Sequence, residues 1–400
     1  MNKRIALLTL PLQSNYGGIM QCFALQTVLE RMGCEVSVLN RRHGWPRLTL
    51  VLLLLRCLSV LKCIFRRYVL GQKHWLVIRP WAAVYEPDTR QALLMPDSRH
   101  VQAFVREHIH LTQPMRSTRA LRRWADAHPV DAFVVGSDQV WRGQYAPSVT
   151  DCLLGFLPDA DTRPRVAYAA SFGIEPSDIA SALLPRCANL ARRFRAVSVR
   201  EHSGVRLART LFGVEAQWVL DPTLLLTASD YQMPSRAGTL CWQGVVTYIL
   251  DPSAPKHYVA DDVARALGQP VHAITLDPRD EEGLPAELLP VEEWLHAFRQ
   301  ARFVVTDSFH GCVFSIIHRK PFIALANRER GLDRFTSLLG SLDLASRLLF
   351  STEEYMPRRA SLLAPIDYTL VDARLREART VSLSFLRNAL GLDEQVSSSA

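Results

Sequence analysis

Apolar and polar positions follow a strand, turn and helix rhythm from the start of the chain. Residues 4–10 are an apolar run, a polar turn with two glycines follows, and apolar residues then recur at helical spacing from Ile19 to Met32. Gly33 ends the predicted helix, and residues 35–39 form a second strand-like run. This opening predicts a βαβ unit, the building block of α/β domains.

Further apolar runs before residue 225 predict strands at residues 131–135, 165–171, 196–199 and 217–220. The first of them leads into a turn with Gly136, Ser137 and Asp138, followed by Trp141. A buried strand that ends in a glycine turn with polar groups is typical of a site loop in an α/β domain. The alternative interpretation is an ordinary glycine turn whose Trp141 lies in the core.

After residue 226 the pattern begins again, which indicates a second α/β domain. Strands are predicted at residues 244–250 and 271–276, helices at 260–267 and 291–302, and a long amphipathic helix at 370–392. We therefore divide the chain into an N-terminal domain, a C-terminal domain, and a C-terminal helix with a tail, at residues 1–225, 226–370 and 371–400.

Residues 303–322 predict a strand, a polar turn, a short helix and the start of another strand. Asp307 or Ser308 is a typical helix N-cap, and His310 would stand at the helix start. In an open α/β sheet such a turn is where ligands bind, because the helix directs unpaired N–H groups at the crevice. An imidazole there can give or take a proton near neutral pH. The competing interpretation is a capping box beside a structural histidine.

Composition narrows the class of protein. Hydrophobic residues make up 48% and charged residues 22% of the chain, values that exclude disordered and collagen-like classes. The eight cysteines form no CxxC pair and no Cys/His zinc spacing, so we expect reduced thiols and no required metal. The amino terminus lacks the small-residue cleavage site of a signal peptide, and we expect a cytoplasmic protein.

The net charge of +8 is concentrated in one segment. Residues 36–85 contain nine basic and no acidic residues, and the rest of the chain is nearly neutral, which argues against a general nucleic-acid-binding protein. Arg56 and Lys62 interrupt the apolar run at 48–70, so a membrane-spanning helix is not expected. Two interpretations remain for the basic amphipathic insertion near 41–79: a helix lying on an anionic membrane face, or a core-packing helix with solvated cations.

Taken together, the motifs resemble those of the polysaccharide pyruvyl transferase family. The matching pieces are NYGG at 15–18, DAFVVGSDQVW at 131–141, AASFG at 169–173, SVRE at 198–201, LDPT at 220–223, and TDSFHG at 306–311 with KPF at 320–322. The resemblance implies an α/β fold of two Rossmann-like domains facing across a cleft, as in glycosyltransferase-B enzymes. It also implies transfer of the enolpyruvyl unit of phosphoenolpyruvate to a sugar, giving a ketal and phosphate.

The resemblance assigns roles to particular residues. His310 matches a family histidine that acts as general acid or base, and Arg200 matches an arginine of the phosphoenolpyruvate site. We expect Asp307 to orient His310, and Asn15 or Asp138 to bind the acceptor. Further substrate-binding candidates lie in the same motifs: Tyr16, Gly17, Gly18, Ser137, Trp141, Ser308 and Asn327.

One position departs from the family pattern. Several members carry arginine two residues before the histidine, where this chain has Ser308. If that arginine neutralises the donor, another cation must replace it here. The candidates are Lys320, Arg328, Arg330 and Arg334.

The expected function is therefore a cytoplasmic pyruvyl transferase of exopolysaccharide biosynthesis. Phosphoenolpyruvate would be its donor substrate, with no separate cofactor, and a sugar of a lipid-linked surface-polysaccharide precursor its acceptor. The 41–79 segment would help it to reach the inner membrane face. The alternatives are a nucleotide-sugar glycosyltransferase of the same fold, and a non-catalytic member of a polysaccharide assembly in which Ser308 marks a lost donor site.

Overall fold

A computed structural model describes residues 2–44, 98–234, 241–279, 286–327 and 330–392, together with five isolated positions between 61 and 71. Within these ranges the chain forms two parallel β-sheets, one before residue 219 and one after residue 244, each accompanied by helices. The strand and helix alternation predicted from the sequence is therefore present in both parts.

The first sheet has six parallel strands in the order β2-β1-β3-β4-β5-β6. Its strands are β1 Lys3–Leu8, β2 Cys34–Val38, β3 Ala132–Gly136, β4 Arg165–Ala170, β5 Ala196–Val199 and β6 Gln217–Trp218. The helices described in this part of the chain are α1 Tyr16–Arg31, α2 Arg99–His108, α3 Thr118–Ala127, α4 Leu184–Ala191 and α5 His202–Leu207, which continues as a π-helix at Ala208–Phe212. The register pairs Ile5 with Ala132 and Phe133 with Arg165.

The second sheet has five parallel strands in the order β11-β10-β9-β7-β8. Its strands are β7 Val245–Tyr248, β8 Val271–Ile274, β9 Phe303–Thr306, β10 Phe322–Leu325 and β11 Leu348–Leu349. The accompanying helices are α6 Ala254–Leu267, α7 Val291–Gln300, α8 Phe309–Ile317, α9 Leu332–Ser341 and α10 Tyr355–Leu363.

Burial explains why the strands read as continuous apolar runs. Every residue of β3, β4, β9 and β10 is buried, because helices cover both faces of these parallel sheets. The predicted helix at 260–267 was too short, since α6 begins at Ala254. Pro255 is suited to the first turn of a helix, but exposed polar residues there hide the helical pattern.

The last helix, α11 Tyr368–Leu390, returns to the first domain. The Ser382 hydroxyl accepts a hydrogen bond from the Leu220 amide at 3.0 Å, and Arg379 Nη2 donates to the Leu226 carbonyl at 2.8 Å. Lys3, on the first strand, donates to the carbonyl of Leu390. The amphipathic pattern predicted at 370–392 thus belongs to a helix that packs back against the first domain.

Most of the basic insertion predicted near 41–79 lies outside the described residues. Of the described positions there, Leu61, Phe65, Tyr68 and Val69 each expose more than half of their surface. Within the part of the chain that the structure describes, none of the helices has the length and apolar character needed to cross a membrane.

Candidate active site

A cavity of about 670 Å³ lies where the two domains face each other. The first domain contributes the loop after β1, from Leu10 to Asn15, and the loop after β3, from Asp138 to Tyr145. The second contributes the turn after β9, at Asp307 to His310, and the first turns of α9. The three loops follow the carboxyl ends of parallel strands, which is where ligands bind in open α/β sheets.

His310 is positioned by a capped and tightly packed turn. Ser308 is the N-cap of α8, and its hydroxyl accepts from the Gly311 amide at 3.4 Å. Thr306 Oγ1 accepts from the Ser308 amide at 3.0 Å and donates to the Tyr248 carbonyl at 2.6 Å. The sequence prediction of a cap at this position is confirmed, and the cap holds His310 in the first turn of the helix.

Gly17 allows the first domain to approach the imidazole closely. A Cβ atom at Gly17 would lie 2.0 Å from His310 Nδ1, which is closer than any side chain tolerates. The first turns of α1 and α8 therefore meet at this point. Of the predicted glycine pair, Gly17 contacts the histidine and Gly18 lies beside Asp138, where a Cβ atom on Gly18 would be 3.3 Å from Asp138 Oδ2.

His310 is neutral in this environment. Its side chain is buried, and burial lowers its pKa to about 4, an effect that Asp221 opposes and Arg200 reinforces. Its Nε2 atom lies 3.9 Å from Asp221 Oδ2, beyond hydrogen-bond distance, and has no hydrogen-bond partner among the described residues. A neutral imidazole with an unpaired ring nitrogen can accept a proton or bind a ligand.

Arg200 stands at the end of β5 between two carboxylates. Its Nη1 donates to Asp221 Oδ2 at 2.6 Å and its Nη2 to Asp138 Oδ1 at 2.8 Å. Although burial alone would raise the pKa of both aspartates, the guanidinium holds each pKa below its usual value. Arg200 Nε has no partner within the described ranges, so the ion-pair cluster leaves one donor unused.

A second buried guanidinium lies near the first, across the ring of Phe309. Arg200 is 5.1 Å and Arg334 is 5.3 Å from the Phe309 ring centroid. Arg334 donates from Nη2 to the Arg330 carbonyl, while its Nε has no partner in the described part of the chain. Burial and the charge of Arg200 lower the pKa of Arg334 to about 10, so it remains a cation that a bound anion would stabilise.

Two acidic residues near this cluster were missed as site residues. Asp221 pairs with Arg200, and Glu201 accepts from the Phe172 amide at 2.9 Å through Oε1 while burial raises its pKa. Both belong to motifs noted in the sequence, SVRE and LDPT, and both follow strands. The signal that could have identified them was a carboxylate soon after a predicted strand: Glu201 after the strand predicted at 196–199, and Asp221 after the strand predicted at 217–220.

The expectation that Asp307 orients His310 is wrong. Asp307 Oδ1 accepts from the Leu250 amide at 2.6 Å, and Oδ2 accepts from the Asp251 amide at 3.1 Å and from Lys256 Nζ at 2.7 Å. These bonds direct the carboxylate toward the loop after β7. The carboxylate near the imidazole is Asp221, which comes from the other domain.

The four cations considered as replacements for the family arginine at Ser308 differ in where they lie. Lys320 follows the C-terminal end of α8, while His310 is at its beginning, and the helix between them is roughly 13 Å long. Lys320 instead lines a different cavity, of about 280 Å³, with Arg302 and Arg319. Arg330 is held by Asp251, and Arg328 lies outside the described residues. Of the described candidates, Arg334 alone combines a place in the His310 cavity with a guanidinium nitrogen that is both buried and unpaired.

Other predicted substrate-binding residues have structural roles. Trp141 is fully buried and packs on Phe172 and Phe212, so the alternative interpretation of a core tryptophan is correct. Ser137 is also fully buried, where its hydroxyl donates to the Ala169 carbonyl at 2.7 Å. Neither side chain lines the His310 cavity.

Asn15, Tyr16 and Asn327 lie at the cleft but differ in what they contact. Asn15 caps α1, accepting from the Gly18 amide at 3.3 Å, and lines the cavity. Tyr16 faces the second domain, where its hydroxyl donates to the Leu289 carbonyl at 2.7 Å and its ring stacks on Trp294. Asn327 binds Asp251. Tyr16 and Asn327 therefore stabilise the cleft rather than line its cavity.

Metal binding remains a matter of prediction. Across the described ranges, no group of three or more histidine, cysteine or acidic side chains is arranged to hold a metal ion. The expectation that no metal and no cofactor is required is not tested by this observation.

Comparison with known proteins identifies a family and a fold. A family model described as polysaccharide pyruvyl transferase matches residues 15–329. The S. aureus MnaA–UDP co-structure superposes with a TM-score of 0.50 and 10% identity over 98% of this chain and 98% of that chain. A putative UDP-N-acetylglucosamine 2-epimerase from Listeria monocytogenes gives 0.50 and 10% over 97% and 96%. No curated protein matches the sequence. The two facing parallel sheets confirm the expected glycosyltransferase-B-like α/β fold.

Proposed function

Because the chain belongs to the polysaccharide pyruvyl transferase family, we propose that it transfers the enolpyruvyl group of phosphoenolpyruvate to a sugar. The products are a pyruvate ketal on the sugar and inorganic phosphate. One observation supports this proposal most strongly. His310 and Arg334 line one cavity, and Arg200 is buried beside it, against Asp138 and Phe309 of the lining. Each of these three side chains keeps a nitrogen without a partner among the described residues. Buried polar groups are rarely left unpaired, so this cluster is suited to an anionic ligand.

The charges of the cluster fit a donor with a carboxylate and a phosphate. Arg200 is already balanced by Asp138 and Asp221, and its charge acts on the cavity from behind Asp138 and Phe309. Arg334 has no carboxylate salt bridge in the described structure, and Asp138 and Glu201 stabilise its positive charge only from a longer distance. We assign Arg334 as the cation that replaces the family arginine at Ser308, because it faces the residue that follows Ser308.

His310 can first donate and then accept a proton in this reaction if binding of the donor raises its pKa. In the free protein burial keeps it neutral, with a pKa of about 4. A bound anion favours the imidazolium and raises that pKa. The imidazolium then protonates the methylene carbon of the donor, and the regenerated imidazole accepts the proton of the hydroxyl that attacks the adjacent carbon. A second hydroxyl displaces phosphate, which carries away its proton.

Thermal unfolding with phosphoenolpyruvate tests the donor assignment without any known acceptor. We expect stabilisation of about 3 kcal/mol at a ligand concentration 100 times the dissociation constant. Arg334→Gln should abolish this shift, while Lys320→Gln, which removes a cation at the other end of α8, should keep it. An unchanged shift in Arg334→Gln would refute the assignment of Arg334. A shift with UDP-sugars but not with phosphoenolpyruvate would favour a nucleotide-sugar glycosyltransferase.

The acceptor proposal concerns surface-polysaccharide precursors carried on a lipid. Its support is the basic charge of residues 36–85 and the exposure of the four apolar side chains at Leu61, Phe65, Tyr68 and Val69. The protein would act in the cytoplasm, peripherally on the membrane. Binding to vesicles that contain anionic lipid should weaken when residues 48–70 are deleted, and unchanged binding would refute membrane contact through this segment.

A further inference from the structure

The loop from Arg142 to Tyr145, called here the Tyr145 loop, has no part in the donor chemistry proposed above. It follows β3 and the Asp138 turn, and it lines the His310 cavity from the first domain. Tyr145 exposes 37% of its surface, although neighbouring Trp141 and Ala146 are buried. A large aromatic side chain that remains partly exposed inside a cavity is suited to contact a ligand.

The Tyr145 ring is held by a buried cation. The guanidinium of Arg142 lies 4.2 Å from the ring centroid, and only 7% of Arg142 is exposed. Arg142 is fixed in turn, because Nη1 donates to Gln139 Oε1 at 3.1 Å and Nε lies 3.4 Å from Asp178 Oδ2. One face of the ring is thus covered by a fixed guanidinium, and the ring is ordered before any ligand binds.

Asp178 fixes the backbone of the same loop. Its Oδ1 accepts from the Gly143 amide at 2.7 Å, and its Oδ2 faces the Gln144 amide at 3.5 Å. A Cβ at Gly143 would lie 2.8 Å from the Asp178 carbonyl oxygen, so the close approach requires glycine. Hydrogen bonds and close packing therefore fix the conformation of the loop, which presents Gln144 and Tyr145 to the cavity.

The loop lies near the proposed donor site. Tyr145 lines the same cavity as Arg330 and Arg334. On the rim beside it, the side chains of Gln13, His43 and Gln144 are amides and an imidazole. Such groups exchange hydrogen bonds with hydroxyls, whereas an aromatic face suits the C–H face of a pyranose ring.

We propose that Tyr145 is the platform for the acceptor: an uncharged pyranose stacks on its open face, with Gln144 hydrogen-bonding the sugar hydroxyls. The proposal rests on the transferase function proposed above. Because Tyr145 lines the same cavity as Arg334 and His310, a sugar stacked on it shares that cavity with the proposed donor site. The Asp178 carboxylate acts through the loop, as a positioning residue.

Saturation-transfer NMR with three simple glycosides tests the platform. The probes are methyl β-D-galactopyranoside, methyl β-D-glucopyranoside and the methyl β-glycoside of N-acetylmannosamine, each added to protein with phosphoenolpyruvate. We expect at least one to bind the wild type, with affinity about fivefold or more weaker for Tyr145→Ala. Tyr145→Phe should bind normally, as should Tyr258→Ala, which removes an equally prominent tyrosine on α6 of the second domain.

Two further measurements distinguish loss of the Tyr145 contact from a general loss of folding. Asp178→Asn should weaken glycoside binding, and combining it with Tyr145→Ala should add little, because both act through one contact. The thermal shift with phosphoenolpyruvate should stay unchanged in Tyr145→Ala.

Three results would overturn the platform: normal glycoside binding by Tyr145→Ala, no binding of any of the three glycosides by the wild type, or loss of the phosphoenolpyruvate shift in Tyr145→Ala. If the wild type shows no phosphoenolpyruvate shift but binds a glycoside through Tyr145, the donor assignment fails while the platform stands.

Discussion

Two clusters of carboxylates and cations lie at the cleft, and they differ in how completely they are paired. In the Asp307 cluster, Asp307 accepts hydrogen bonds from two backbone amides and from Lys256. The neighbouring Asp251 accepts from Asn327 and from two nitrogens of the Arg330 guanidinium group. In the Arg200 cluster, Arg200 joins two aspartates but keeps Nε unpaired within the described ranges, as do the nearby His310 Nε2 and Arg334 Nε.

The comparison shows how to separate a structural network from a site. A closed network such as the Asp307 cluster satisfies its members and connects loops, so it has little to offer a ligand. An open network in a buried cavity keeps polar atoms whose desolvation is uncompensated until a ligand arrives. By this criterion we propose the Arg200 cluster as the site and the Asp307 cluster as its support.

The largest expected effect is on transfer activity, and it should distinguish His310 from Asp307, the residue expected from the sequence to orient it. His310→Gln should lower transfer by about 10² to 10⁴-fold, the usual contribution of a general acid or base. Asp307→Asn keeps the size and shape of the side chain, and it should lower transfer by no more than about tenfold. Its main effect should be to lower the free energy of unfolding. The measurement is phosphate release from phosphoenolpyruvate in the presence of acceptor glycosides. Equal losses in the two variants would remove the distinction between the clusters.

The next effect is on stability and concerns Arg200. Arg200→Met leaves Asp138 and Asp221 buried without their cation, which should lower the free energy of unfolding by about 3 to 5 kcal/mol. Arg319→Met is the control, because Arg319 pairs with Asp372 at the surface with two-thirds of its side chain exposed. Urea denaturation at neutral pH measures both variants. A loss for Arg200→Met no greater than that of the control would contradict the buried ion-pair geometry.

A smaller effect is expected where the two domains touch at Gly17. Gly17→Ala places a methyl group against His310 Nδ1, so it should cost about 1 to 3 kcal/mol and displace the imidazole. Gly340→Ala is the matched control, since that helical glycine has open space around its Cβ position and should gain slightly from helix propensity. Thermal unfolding and the transfer assay together test this prediction. Full activity in Gly17→Ala would argue against the close contact.

The smallest effect is a pH dependence caused by His310. Its pKa of about 4 in the folded protein is below the usual value of 6.5, so the unfolded chain binds a proton more readily. The resulting stability is complete above about pH 6.5 and declines by about 1.4 kcal/mol per pH unit as the pH falls toward 4. In urea denaturation at pH 7.5 and pH 5, His310→Gln should lose less stability on acidification than the wild type. Parallel losses would show that His310 does not titrate in this way.

Much of the fold and part of the site could be predicted because they depend on local chemistry. Apolar runs closed by polar turns identify the buried parallel strands, and Ser308 before an apolar stretch identifies the start of α8. The carboxyl-end rule for parallel sheets then brings Asn15, Asp138 and His310 to one cleft.

The sequence by itself determined the strand and helix order, the capped turn that carries His310 and the family to which the chain belongs. Only the tertiary structure decided that Asp221, rather than Asp307, lies near His310, that Arg334 is the buried cation with an unpaired nitrogen in the His310 cavity, and that Trp141 belongs to the core. The physical reason is that pairing depends on distance between segments far apart in the chain. Asp221 and His310 come from different domains, and neither local propensity nor hydrophobic pattern encodes which carboxylate meets which cation across a cleft.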